Sequence, residues 1–267
     1  MAVLAALVAA AFLPGFTPFA AGPDGGQVFS GTFPGAERSG FVYLPPGFDS
    51  SVRYPVLYLL HGMPGSPTEY LDGTQLAAFA DAGISSGGLG PFIAVLPAAG
   101  SSRDYNGEWA GPWETELVQR IVPWVDASLP TIATRRGRVI AGLSAGGYGA
   151  VDIGIRNADL FGAIESWSGY FRPLRDGPFK DASRGELAAN DPRLTVALDR
   201  TALAQAGTRF FLSSGPAHSH WFRPSETVAF AGEVRRLGLA ETLRLYFSKE
   251  DEWRVQFDDG VRWAFAR

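Results

Sequence analysis

Residues 138–148 read Arg-Val-Ile-Ala-Gly-Leu-Ser-Ala-Gly-Gly-Tyr, a short apolar run that breaks abruptly into a turn of small residues centred on Ser144. Gly142, Ser144 and Gly146 satisfy G-x-S-x-G, the nucleophile elbow, in which a strand turns sharply into a helix and leaves a serine hydroxyl exposed. Glycine is needed two residues before and after the serine because a Cβ there would collide with neighbouring backbone in so tight a turn. The context agrees: β-branched Val139 and Ile140 precede the turn, and apolar residues at helical spacing follow Tyr148.

A chain of 267 residues is long enough for one large domain with a well-buried core. With 46% hydrophobic and 19% charged residues it reads as globular, and a net charge of −4 with no long Lys/Arg cluster argues against nucleic-acid binding. The absence of cysteine excludes disulfides, thiolate metal sites and cysteine nucleophiles. No metal-ligand spacing is present, since His218 and His220 have no third ligand near them in sequence, and no cofactor is implied.

Residues 2–13 form an uncharged apolar run of signal-peptide length, too short to span a bilayer unaided, and Ala20-Ala21-Gly22 before Pro23 is a weak cleavage site. Residues 1–22 are therefore expected to be an export signal or a membrane-anchor remnant. A secreted or membrane-anchored, extracytoplasmic protein follows, with residues 23–267 as the single folded α/β domain; a buried Ala-rich helix is the alternative.

Two alternating stretches at residues 27–33 and 38–44, separated by a Pro-Gly turn, predict an antiparallel hairpin. Residues 54–60 are continuously apolar, as in a strand buried on both faces of a parallel sheet, and end in His61-Gly62-Met63-Pro64-Gly65. Further strands are expected at 91–97, 138–143, 161–167, 208–214 and 242–247, with helices at 67–83, 114–129, after Ser144, at 225–239 and at 255–266. Pro123 should kink the second of these helices. Regular alternation of strand and helix predicts one α/β domain with a mostly parallel, doubly wound sheet and an N-terminal antiparallel hairpin. The polar and aromatic loop 98–113 then falls at the carboxyl edge of the sheet, where such folds bind ligands. Tyr105, Trp109, Trp113, Trp167, Tyr170, Trp221 and Phe222 are available there to line an acyl or aryl pocket.

The chain resembles the esterase family that includes S-formylglutathione hydrolases, feruloyl esterases, enterochelin esterases and mycolyltransferases. The resemblance rests on Pro55-Val-Leu-Tyr-Leu-Leu-His-Gly62, Gly107-Glu-Trp, Trp113-Glu-Thr, Val122-Pro-Trp-Val-Asp126 and Gly142-Leu-Ser-Ala-Gly-Gly-Tyr-Gly-Ala150, and extends over residues 27–267. It implies an α/β-hydrolase fold, a Ser–His–acid triad with Ser144 as nucleophile, and an oxyanion hole made by the main-chain N–H groups of Met63 and Ala145. The reaction implied is hydrolysis of a small-molecule, lipid or glycan ester, or transfer of its acyl group.

The departure from the family pattern lies in the other two triad positions. Members carry the acid in Gly-x-x-Asp after the strand that here ends at Gly215, and the base in Gly-Gly-His-x-Trp after the last strand. This chain reads Gly215-Pro216-Ala217-His218 and Ser248-Lys249-Glu250-Asp251-Glu252-Trp253. With Trp253 setting the register, Asp251 stands where histidine is expected and His218 where aspartate is expected. Three readings follow. Acid and base have exchanged loops, giving Ser144, His218 (or His220) and Asp251 (or Glu252), a chain order that triad geometry does not forbid. Alternatively, His218 and Asp251 make a structural ion pair in a catalytically impaired domain that binds a lipid, glycan or protein. In the third reading the register differs, or another group activates Ser144. His61, in the oxyanion loop, is expected to support the turn.

Overall fold

A computed structural model of the protein describes residues 13–100, 108–216, 223–248 and 252–267. Nine strands form one sheet in the order β1-β2-β3-β5-β4-β6-β7-β8-β9. The centre is β4 (Val56–Leu60), flanked by β5 (Ile93–Leu96) and β6 (Arg138–Leu143), and continues through β7 (Ala163–Trp167), β8 (Arg209–Ser214) and β9 (Ala240–Leu245), all parallel. β2 (Gln27–Gly31) and β3 (Gly40–Leu44) are the expected hairpin, with β3 joined antiparallel to β5.

The continuous apolar run of β4 has a direct packing cause. Alternate side chains leave opposite faces of a strand, and both faces are covered: Val56, Tyr58 and Leu60 enter one core, Leu57 and Leu59 the other. The first core is closed by α4 (Val122–Ser128), α5 (Ala145–Arg156) and α9 (Pro224–Arg236), and the second by α1 (Thr68–Asp72), α2 (Leu76–Ser85) and α10 (Glu252–Phe265). Helices on both faces of a mostly parallel sheet are the doubly wound architecture expected.

Three local features differ from expectation or extend it. β1 (Phe16–Ala21) pairs antiparallel with β2, and Leu13 and Phe16 are buried in the core. Residues 16–21, grouped with the apolar leader by sequence, are thus part of the sheet. The turn between β1 and β2 is held by buried Asp81, which accepts hydrogen bonds from Asp24 N–H (2.9 Å), Gly26 N–H (3.0 Å) and the Tyr43 hydroxyl (2.7 Å). Pro123 does not produce a simple kink. Residues Leu117–Ile121, between α3 (Pro112–Glu116) and α4, form a π-helical turn; proline lacks the N–H that would continue the ladder, and the wider turn absorbs the mismatch. Between the expected strands at 161–167 and 208–214 lie α6 (Arg184–Ala189), α7 (Pro192–Leu198) and α8 (Arg200–Ala206).

Candidate active site

Ser144 ends β6 and caps α5 with φ 56° and ψ −118°, a left-handed conformation that a non-glycine residue adopts only at a cost. The surrounding packing imposes it. A Cβ on Gly146 would lie 1.8 Å from the Leu60 carbonyl oxygen, and one on Gly142 would lie 2.3 Å from that of Gly146. Ser144 N–H donates to Trp167 O at 2.9 Å, and the Tyr70 hydroxyl ties the ends of β4 and β6 together, donating to Leu60 O (2.7 Å) and accepting from Leu143 N–H (3.2 Å). The elbow is therefore built by three strand ends at once.

The loop after β4 lies against it: a Cβ on Gly62 would stand 3.4 Å from the Ser144 Cβ. Met63, Pro64, Ser144 and Ala145 line one cleft of about 700 Å³. Among the described residues, neither Met63 N–H nor Ala145 N–H donates to another group. Ala145 opens a helix, so its N–H has no partner within the helix and can meet negative charge.

His61 braces this loop. Its Nδ1 donates to Gly62 O (2.7 Å), its Nε2 accepts from Ala99 N–H (3.1 Å), and its ring packs edge-on against Trp109, whose Nε1 donates to His61 O (2.9 Å). Both ring nitrogens are engaged, and burial pushes the imidazole down to about 4, so it is neutral at physiological pH. Arg38 reaches the same loop, donating to Gly65 O (3.2 Å) and to Ala99 O. Support of the turn, and not proton transfer, is what these contacts provide.

The opposite wall joins Tyr170, a pocket candidate from the sequence, to two acids that sequence reasoning did not single out, Glu108 and Asp176. Glu108, 1% exposed, accepts from the Tyr170 hydroxyl through Oε1, and the Asp176 carboxylate faces it. Burial, with Asp176 adding to it against the effect of Tyr170, pushes the Glu108 carboxyl up to about 8. Its Oε2 is buried without a donor among the described residues. Arg172 and Arg175 also line the cleft. Only the Glu-Trp pair at residues 108–109 hinted at this wall, because Asp176 is remote in sequence. Of the aromatics considered for the pocket, Tyr170 lines it, stacked on Tyr148 at 5.2 Å. Trp109 and Trp167 are instead buried core residues, and Trp113 packs at the core margin.

Behind the cleft, Ser168 (φ 48°) accepts from Gly215 N–H (3.1 Å) and from Gln256 Nε2 (2.9 Å), while Ser213 donates to Gln256 Oε1 (2.7 Å). The ends of β7, β8 and α10 are welded there by buried polar groups. His218, His220 and Asp251 lie outside the described residues; Glu252 begins α10, and its side chain is likewise undescribed. Among the described residues, no group of three or more His, Cys, Asp or Glu could hold a metal ion, and no helix is long and apolar enough to cross a membrane.

A doubly wound sheet whose strand-turn-helix holds a left-handed serine at its carboxyl edge defines a protein of the α/β-hydrolase class. More particularly, residues 31–264 match the family described as "Putative esterase", and the chain belongs to that family. Esterase Rv1288 of Mycobacterium tuberculosis is 35% identical over 142 residues, covering 51% of this chain and 30% of that protein. An endo-1,4-beta-xylanase/feruloyl esterase of Xylanibacter ruminicola is 33% identical over 138 residues, covering 48% of this chain and 19% of the relative. The matches thus span less than a third of these relatives' own lengths. Among solved structures, a ferulic acid esterase superposes with a TM-score of 0.77 at 23% identity, over 90% of this chain and 97% of that one. S-formylglutathione hydrolase FrmB of Staphylococcus aureus gives 0.65 at 17%, over 93% and 97%. At these identities the structures speak to the fold alone.

Proposed function

We propose that the protein hydrolyses carboxylic esters, or transfers their acyl group, through an acyl-enzyme on Ser144. The observation that carries this reading is the left-handed Ser144 facing a cleft beside the unengaged N–H groups of Met63 and Ala145. Ser144 Oγ attacks the ester carbonyl, its proton passes to a base, and the two amides hold the oxyanion of the tetrahedral intermediate. Collapse expels the alcohol, which takes that proton. Water or an acceptor alcohol then releases the acyl group by the same steps in reverse order.

His61 is excluded as the base by its two engaged nitrogens. Of the three histidines, His218 and His220 remain. We assign the base to one of them, with Asp251 or Glu252 as its acid, on the exchanged arrangement read from the sequence. Feruloyl esters are the first substrates to try, because the Xylanibacter relative bears that name. The apolar start of the chain supports an exported or membrane-held protein. Pairing of β1 requires any signal cleavage to fall before residue 16 if the sheet is to stay whole, and before residue 13 if Leu13 is to stay in the core.

Fluorophosphonate labelling with short aryl esters tests the reading. An adduct on Ser144 and turnover are expected, both lost in Ser144→Ala. No adduct and no turnover would favour the impaired, ligand-binding domain. Given turnover, His218→Ala or His220→Ala, and Asp251→Ala, should each cost about 10³-fold or more. A mild effect of Asp251→Ala, with Glu252→Ala also mild, refutes the exchange.

A further inference from the structure

At the edge of the sheet opposite Ser144, where the parallel strands begin, lies a second cleft of about 840 Å³. Its walls come from the segments that lead into β4, β6, β7 and β8 and from the end of α10. Four arginines line it: Arg53 before β4, Arg135 and Arg136 in the turn before β6, and Arg209 at the start of β8. Arg267 lines it as well. Among the described residues, no aspartate or glutamate lines the cleft. The chain as a whole has more acidic than basic residues, 27 against 23, so composition alone does not produce this convergence.

The arginines elsewhere in the fold are frequently neutralised. Arg138, Arg156, Arg193, Arg235 and Arg236 each hold a carboxylate within 3 Å. Among the described residues, none of the four arginines of the cleft makes an ion pair. The Arg209 guanidinium instead lies 4.5 Å over the Trp263 ring, which fixes it without cancelling its charge. Glu165 is coupled to Arg209, but burial pushes that carboxyl up to about 8, leaving it neutral near pH 7. Like charges gathered without counter-ions in a concave site create a positive potential that an anion relieves.

We infer that this cleft binds an oligophosphate anion at a site remote from Ser144. Guanidinium forks match phosphate oxygens in paired hydrogen bonds. A single carboxylate would leave most of the charge of four arginines uncompensated, whereas a di- or triphosphate balances it. The cleft is also large enough to hold such a group with an organic portion, and Ile132, 38% exposed, offers an apolar surface at its wall. The inference does not depend on the chemistry assigned to Ser144.

Titration calorimetry on the full chain, with sodium tripolyphosphate, ATP without divalent cation, and citrate, tests it. Tripolyphosphate should bind, more weakly as ionic strength rises. Arg53→Gln/Arg136→Gln, which changes two exposed side chains, should weaken binding by at least about tenfold while leaving turnover on aryl esters as in the parent. Tighter binding of ATP than of tripolyphosphate would identify a nucleotide as the source of the phosphate; equal binding would identify the inorganic anion. Absence of tripolyphosphate binding, binding unchanged in the double variant, or citrate binding as tightly as tripolyphosphate would each overturn the assignment.

Discussion

The α-carbon of Gly146 sits so close to Leu60 that an added methyl would stand 1.8 Å from the Leu60 carbonyl oxygen. Backbone, not a flexible side chain, is the obstacle, so nothing nearby can yield cheaply. Gly146→Ala should destabilise the protein by about 3 kcal/mol or more and displace Ser144, with loss of fluorophosphonate labelling. Gly232→Ala in α9 meets nothing within 4 Å and should stabilise by roughly 0.5–1 kcal/mol. Urea unfolding of the two variants checks the contrast; equal stabilities would contradict the close approach.

Tyr70→Phe removes the hydroxyl that accepts from Leu143 N–H and donates to Leu60 O. A buried N–H without an acceptor costs about 1–3 kcal/mol, and the loss falls directly beneath the elbow. Stability should drop by that amount, and kcat on aryl esters should fall more than KM changes, because the oxyanion geometry and not ground-state binding is loosened.

Glu108→Gln keeps the shape of the cleft wall: an amide oxygen still accepts from Tyr170, and an amide N–H can donate to Asp176. What it removes is a carboxyl whose folded value is raised to about 8. The folded state holds this proton where the unfolded chain has released it. The parent should therefore lose stability as pH climbs from about 4.5 towards 8. The variant should match the parent near pH 4 and exceed it near pH 9, by thermal unfolding across that range. A parallel pair of curves would show that Glu108 ionises freely in the fold.

His61 predicts the opposite slope. Held neutral down to about 4, it resists a proton that the unfolded chain accepts near 6.5, so stability should fall as pH drops between those values. His61→Gln will lower stability at every pH, since it breaks contacts to Gly62 and Ala99. The diagnostic readout is its flatter pH dependence over that window. The alkaline and neutral limbs of the pH–rate profile should keep the parent's shape, as they would not if His61 were the base.

Much of the fold was legible in the chain before its structure. The run from Val56 to Leu60 is apolar at every position because two cores flank it, and a strand with no polar face announces a buried parallel sheet. Gly142 and Gly146 marked the elbow for an equally local reason: only glycine fits where backbones touch. β1 was missed because residues 16–21 are mostly exposed on their edge, and next to an apolar leader such a stretch carries no clear alternation. At Pro123 the sequence located the irregularity, but the helix absorbed it as a π turn.

The candidate site divides in the same way. The turns that carry Ser144, Ala145 and Met63 were legible because their steric demands are written in neighbouring glycines, while the roles of the three residues came from the family resemblance. Of the far wall only Tyr170 was anticipated, because the meeting of Glu108, Tyr170 and Asp176 depends on where three loops end in space. The basic cleft on the opposite edge is a stronger case: Arg53, the Arg135-Arg136 pair and Arg209 are far apart along the chain and unremarkable one by one. Local steric rules act over a few residues and can be read in order along the chain. Charge, burial and proton affinity depend on every neighbour in three dimensions, so the partners of Glu108 and the company kept by these arginines were decided only by the tertiary fold.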